Sequence, residues 1–79
     1  MGSLQGMHEI GFQLERDHVE LNQLLKLCGL ADSGGAGKAL VSSGAVRVDG
    51  EVELRRTCKI HAGQVIEVGD ARIRVSAAP

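Results

Sequence analysis

The fold is decided by one stretch of the sequence, residues 29–59, which reads GLADSGGAGKALVSSGAVRVDGEVELRRTCK. Within it, Asp32 and Ser33 are both suited to cap the start of a helix, and Gly44 is suited to end that helix. The dipeptide Asp49-Gly50 lies between alternating residues and is a strong signal for a β-hairpin, because a type I′ turn requires positive φ at both central residues. The stretch therefore predicts a short helix, a strand and a tight hairpin turn.

The sequence before this stretch predicts one strand and one further helix. Apolar and polar residues alternate over residues 9–15, which is typical of a half-buried strand. Asp17 and Glu20 are spaced as a capping box at the start of a helix, and Gly29 is placed to end it. The buried face of this helix is predicted from four residues at i, i+3, i+4 and i+7: Leu21, Leu24, Leu25 and Cys28.

The second predicted helix is unusually rich in glycine. Gly34, Gly35 and Gly37 each cost a helix about 0.5–1 kcal/mol relative to alanine, so some other requirement must favour them. The buried stripe of this helix is predicted to consist of Ala36, Ala39 and Leu40.

Alternation with period two continues after the hairpin and predicts several short strands. Val52 and Leu54 alternate with charged neighbours and are predicted to face inward. Arg47 and Arg55 would then lie on the solvent side of their strands. The order of elements predicts an α+β domain, in which two short helices pack on a small, mostly antiparallel sheet.

The length of 79 residues predicts one domain, which we place at residues 8–76. Residues 1–7 are expected to form a flexible leader, and residues 77–79 a frayed tail. The chain has no Trp, no Tyr and a single Phe, so its core must be built from aliphatic side chains. No segment approaches the roughly 20 apolar residues of a membrane helix, and we expect a soluble, cytoplasmic protein.

The basic residues are unevenly distributed along the chain. Residues 1–37 contain two Lys/Arg and five Asp/Glu, a net charge of −3, whereas residues 38–79 contain seven and five, a net charge of +2. The overall charge of −1 argues against a protein that coats DNA without specificity. The local excess of positive charge is compatible with a nucleic-acid surface and equally with an ordinary solvated face.

Motifs of catalysis and metal binding are lacking in the sequence. Gly37-Lys38 resembles the end of a phosphate-binding loop, but that motif requires Gly and Ser/Thr where Asp32 and Ala39 stand. The three histidines are scattered, and Cys28 and Cys58 form neither a CxxC pair nor a zinc spacing. We therefore expect no enzyme activity, no cofactor and reduced cysteines.

The sequence resembles the S-four RNA-binding domain, named for a protein of the small ribosomal subunit. The resemblance covers about residues 17–68 and is carried by GAVRVDG at residues 44–50 and GQVIEV at residues 63–68. The chain is still more similar to the short bacterial stand-alone YbcJ-type members, through HVEL at residues 18–21, LLKL at residues 24–27 and RRTCKI at residues 55–60. The resemblance implies the alpha-L fold of that family and binding of RNA.

One position departs from the family pattern. Many members have an RNA-contacting Arg directly after the Ser that starts the second helix, whereas here Ser33 is followed by Gly34.

The resemblance implies a monomer that binds structured RNA, such as ribosomal RNA or tRNA, mainly through phosphate contacts. The residues expected to contact RNA are Lys26, Ser33, Lys38, Arg47, Arg55, Arg56 and Lys59. The alternative is a protein-interaction adaptor associated with the ribosome or with RNA metabolism.

Overall fold

The computed structural model describes residues 8–79, so the flexible leader predicted for residues 1–7 lies outside the described residues. The elements follow in the order β1 (His8–Leu14), β2 (Val19–Glu20), α1 (Leu21–Leu27), α2 (Gly34–Ser42), β3 (Val46–Val48), β4 (Glu51–Val52), β5 (Lys59–Ile60), β6 (Val65–Val68) and β7 (Ala71–Ala77). Strand β7 runs one residue into the stretch predicted to be a tail.

Five strands form one sheet in the order β1-β7-β6-β3-β4. Strands β1 and β7 are parallel, and the other neighbouring pairs are antiparallel. Strands β2 and β5 form a separate antiparallel pair. In the chain, β2 comes directly before α1, and β5 follows the β3–β4 hairpin. The α+β class and the mostly antiparallel sheet predicted from the sequence are confirmed.

The core lies between the two helices and one face of the sheet. Alternation along the strands places Ile10, Ile73, Ile66 and Val48 side by side across four strands, on what we call the inner face. The helices contribute the fully buried side chains of Leu21, Leu24, Leu25 and Val41 to the same cluster. The core is aliphatic, as predicted, and Phe12 is partly buried against it.

Helix α1 begins later than the sequence predicted. Its N-cap is Glu20, which makes no side-chain capping bond, so the capping box predicted for Asp17 and Glu20 is wrong. The residues before the helix instead pair as β2 with β5. The predicted end is confirmed, because Gly29 follows the helix with φ of +79°.

The first backbone donors of α1 are satisfied by a distant loop. The N–H of Leu21 donates to the carbonyl oxygen of Cys58 at 2.8 Å, and the N–H of Asn22 donates to that of Arg56 at 3.1 Å. These donors would otherwise lack partners at a helix start. The loop between β4 and β5 is therefore anchored on α1.

Helix α2 begins and ends where the sequence predicted. The N–H of Ala36 donates to the hydroxyl oxygen of Ser33 at 3.1 Å, which confirms Ser33 as the N-cap. Gly44 follows the helix with φ of +83°, in the left-handed region that glycine adopts without strain. In the described part of the chain, neither α2 nor α1 is long and apolar enough to cross a membrane.

The buried stripe of α2 differs from the predicted one. Ala39 is exposed, whereas Gly37 and Val41 are buried and Leu40 is half-buried. The predicted stripe, in which Ala39 was central, is therefore partly wrong. The physical reason is that α2 turns Gly37 toward the backbone of α1, where no side chain fits.

The hairpin turn is confirmed, but the strand after it is short. Asp49 and Gly50 have φ of +53° and +89°, as a type I′ turn requires. Strand β4 ends at Val52, so Leu54 and Arg55 belong to a loop and not to the predicted strand. Val52 and Leu54 are 51% and 61% exposed, which contradicts the predicted inward orientation.

The strand register explains the exposure of Val52. It lies directly opposite Arg47, which is exposed on the outer face of the sheet, away from the helices. Residues directly opposite each other in an antiparallel pair share one face, so Val52 also lies on the outer face.

Candidate nucleic-acid interface

Four of the predicted site residues lie around one groove between α2 and the loop that joins β4 to β5. The groove is open, with a volume of about 690 Å³. We call it the basic groove; its lining residues are Lys38, Leu54, Arg55, Arg56, Thr57, Cys58 and Lys59. Lys38 is far from the other cations in the sequence, and the anchoring of the loop on α1 brings them together.

An arginine–glutamate pair fixes the loop at the mouth of the groove. The guanidinium of Arg55 donates to both carboxylate oxygens of Glu53, through Nε at 2.9 Å and Nη2 at 3.1 Å. The backbone N–H of Arg55 donates to the same carboxylate at 2.9 Å. These hydrogen bonds lower the pKa of Glu53 to about 2 and raise the pKa of Arg55. Arg55 therefore shapes the loop, and Glu53 offsets part of its charge.

The remaining cations of the groove are not offset in this way. Lys38, Arg56 and Lys59 are exposed and form no ion pair with any acidic side chain among residues 8–79. With four cations around the groove and one carboxylate paired to Arg55, about three positive charges remain available. An open groove of this kind favours an anionic ligand.

The other predicted site residues lie elsewhere. Lys26 is exposed in the last turn of α1, and Ser33 uses its hydroxyl oxygen to cap α2. Arg47 is exposed on the outer face of the sheet, opposite Glu67 on β6. None of these three residues lines the basic groove.

The outer face of the sheet carries charges of both signs in contact. The guanidinium of Arg72 lies 3.4 Å from the carboxylates of both Glu9 and Glu67. Arg74 lies 3.5 Å from Glu9. Because these charges offset one another, this face is a weaker attractant for anions than the basic groove.

Three lining residues, Leu54, Thr57 and Cys58, were not predicted to belong to the site. Leu54 was expected to face the core because it alternates with charged neighbours, but the end of β4 at Val52 removes it from the sheet. The signal in the sequence that could have found these three residues is that each is adjacent to a basic residue, Arg55, Arg56 or Lys59.

The histidine, cysteine and acidic residues suggest no metal centre within residues 8–79, where no group of three such side chains is placed to hold an ion. Cys28 and Cys58 are both free thiols. Burial raises the pKa of each thiol, which disfavours the reactive thiolate.

Matches to known protein families cover most of the chain. A family model described as the S4 domain matches residues 12–76. YbcJ of Escherichia coli (strain K12) is 47% identical over 60 residues, which cover 76% of this chain and 86% of YbcJ. RlbA of Bacillus subtilis (strain 168), whose name refers to ribosome maturation, is 34% identical over 55 residues, which cover 70% of this chain and 78% of RlbA.

The solved structures include a close match in fold. The solution structure of E. coli YbcJ, which reveals an αL motif involved in RNA binding, aligns with a TM-score of 0.65. The alignment covers 98% of this chain and 96% of YbcJ, with 38% identity. This identity is lower than the 47% found over 60 residues because the structural alignment extends over nearly the whole chain.

Proposed function

The chain belongs to the S4 domain family, and we propose that it is a small, non-catalytic RNA-binding protein that holds structured RNA in the basic groove. The observation that carries this proposal is the convergence of Lys38, Arg56 and Lys59, exposed and without ion-pair partners in the described chain, on one open groove. Phosphate groups are the anions that such a constellation suits best.

The groove offers two kinds of phosphate contact. Arg56 has a planar guanidinium that can hold two phosphate oxygens at once, while Lys38 and Lys59 act as point charges. Arg55 retains a largely exposed side chain, 78% accessible, despite its pairing with Glu53. It would contribute one further contact with less net charge.

The absence of aromatic groups favours folded RNA over extended single strands. Proteins that bind single strands without sequence preference stack successive bases on aromatic side chains. The sequence contains one Phe, Tyr or Trp residue in total, Phe12, and this ring is partly buried against the core. Recognition of shape and backbone, as for a stem with its flanking loop, suits the groove better.

The relatives support an RNA partner and suggest its kind. The αL motif of E. coli YbcJ is involved in RNA binding, and the name of RlbA refers to ribosome maturation. We extend the proposal to structured ribosomal RNA, with tRNA as the other candidate, bound by a monomer in the cytoplasm. Lys26, Ser33 and Arg47 would contact RNA only where it extends beyond the groove.

The test compares two double variants that remove the same charge. Arg56→Ala with Lys59→Ala removes two cations of the groove, and Arg16→Ala with Arg74→Ala removes two exposed cations outside it. Binding to a folded ribosomal RNA fragment is measured at several salt concentrations. We expect the groove variant to bind more weakly and to flatten the slope of log K against log salt by about 0.7–0.9 per lost contact.

The control variant should keep both the affinity and the slope of the parent protein. Equal behaviour of the two double variants would contradict the assignment of the groove. A parent protein that binds no RNA in a salt-dependent manner would instead favour the protein-interaction adaptor.

A further inference from the structure

Leu54 places an apolar side chain among the cations of the basic groove. It is 61% exposed, whereas Leu14, Leu21, Leu24 and Leu25 are buried almost completely. It lines the groove beside Arg55 and Arg56. Phosphate contacts do not account for an apolar group in this position.

The loop holds Leu54 in place through hydrogen bonds on both sides. The backbone N–H of Glu53 donates to the carbonyl oxygen of Val46 at 3.0 Å. The carboxylate of Glu53 accepts the backbone N–H of Arg55 at 2.9 Å, which closes the chain around the residue between them. The carbonyl oxygen of Arg55 accepts the N–H of Cys58 at 3.2 Å. The hydrogen-bonded loop therefore holds Leu54 in position, so less conformational entropy is lost when its side chain contacts a ligand.

The other exposed large apolar residues are not placed in this way. Leu27 is 58% exposed at the end of α1, and Val52 is 51% exposed on the outer face of the sheet. Neither lines the basic groove. Of the exposed large apolar residues in the described chain, Leu54 is the one that lies beside the unpaired cations of the groove.

An unstacked base is the RNA group that matches this arrangement. In a continuous stem the base faces are hidden by stacking, whereas in a bulge or loop they can be splayed out toward a protein. In architectural DNA-binding proteins, apolar side chains such as leucine insert between bases and partially unstack them. We propose that Leu54 packs against an unstacked base while Lys38, Arg56 and Lys59 hold the flanking phosphates, so that the ligand is a stem interrupted by a bulge or closed by a loop. This inference rests on the proposed function.

The test uses two RNA probes and two leucine variants. The probes are a hairpin stem with a single-nucleotide bulge and the same hairpin with a continuous stem. Leu54→Ala is compared with Leu27→Ala, which removes the same atoms from a similarly exposed site outside the groove. We expect the parent protein and Leu27→Ala to prefer the bulged probe. Leu54→Ala should reduce this preference by about fivefold, because an apolar contact is lost, with no change in the salt slope.

The outcomes separate this inference from the proposed function. If the parent protein binds with a salt-dependent affinity and Leu54→Ala keeps the same preference for the bulged probe, the role of Leu54 is wrong and the basic groove stands. A parent protein that binds both probes equally also overturns the inference. If it binds neither, the proposed function itself fails.

Discussion

Gly37 allows the backbones of α1 and α2 to touch. A Cβ atom at this position would lie 2.5 Å from the carbonyl oxygen of Asn22 and 3.2 Å from its Cα. The obstacle is backbone, so no rotamer change can relieve it. This contact explains why α2 carries glycine at position 37 although glycine is unfavourable within a helix, and the next residue, Lys38, lines the groove.

The first prediction at this scale concerns Gly37→Ala. We expect the variant to lose about 1–3 kcal/mol of unfolding free energy, because the methyl group must push the two helices apart. Urea denaturation followed by circular dichroism measures this change. For Gly35→Ala the nearest atom to the added Cβ is the Ser33 hydroxyl at 3.8 Å, an ordinary contact.

Gly35→Ala is therefore the matched control within the same helix. It should be neutral or more stable by up to about 1 kcal/mol, because alanine is the better helix former. Equal stabilities of the two variants would show that the close approach at Gly37 does not limit the packing of α1 against α2.

The β3–β4 hairpin is tied to the rest of the sheet by its own turn residue. The carboxylate of Asp49 accepts the backbone N–H of Val65 at 3.1 Å and the side-chain amide of Gln64 at 3.1 Å. The backbone N–H of Asp49 donates to the carbonyl oxygen of Val65 at 2.8 Å. Asp49 therefore sets the turn and also joins it to the start of β6.

Replacement of Asp49 should affect the stability of this element. Asp49→Ala loses two hydrogen bonds and places alanine at φ of +53°, so we expect a loss of about 2–3 kcal/mol of unfolding free energy. Asp49→Asn should lose less, because asparagine tolerates positive φ and keeps a carbonyl acceptor. Asp70→Ala, in the exposed turn between β6 and β7, serves as the control and should change stability little.

A result in which Asp49→Ala and Asp70→Ala are equally stable would contradict the tie between hairpin and sheet. Thermal unfolding and urea denaturation would both reveal the difference. The predicted order of stability is Asp70→Ala, then Asp49→Asn, then Asp49→Ala.

The elements that the sequence predicted correctly are those with local signals. Ser33, Gly29 and the Asp49-Gly50 turn act through bonds or dihedral angles within a few residues, which a pattern can reveal. The start of α1 could not be predicted, because it depends on hydrogen bonds to a distant segment. The loop carbonyl of Cys58 supplies the helix cap that the sequence assigned to a side chain.

The charged residues of the groove could be predicted from the sequence, but their convergence on one site could not. The sequence indicated Lys38, Arg55, Arg56 and Lys59, but it gave Arg47 the same weight. Alternation predicted that Arg47 faces solvent, but only the structure shows that it lies on the outer face of the sheet, outside the groove. The exposure of Leu54 was not predicted, because alternation indicated that this side chain is buried.

For the whole molecule, the net charge of −1 conceals two different surfaces. In the described chain, about three positive charges of the basic groove form no ion pair with an acidic side chain. On the outer face, Arg72 forms ion pairs with both Glu9 and Glu67, so the attraction and repulsion that this face exerts on an anion largely cancel. An anionic ligand should therefore approach the groove in preference to the sheet.

This separation predicts where RNA will perturb the protein. In an NMR titration with a folded ribosomal RNA fragment, we expect the largest amide shifts at residues 54–59 and at Lys38, and small shifts on β6 and β7. Arg47→Ala should weaken binding less than Lys59→Ala, because its side chain lies outside the groove. Largest shifts on β6 and β7, or a stronger effect of Arg47→Ala, would move the interface to the outer face of the sheet. In that case the groove would be positively charged but would not be the site that binds RNA phosphates.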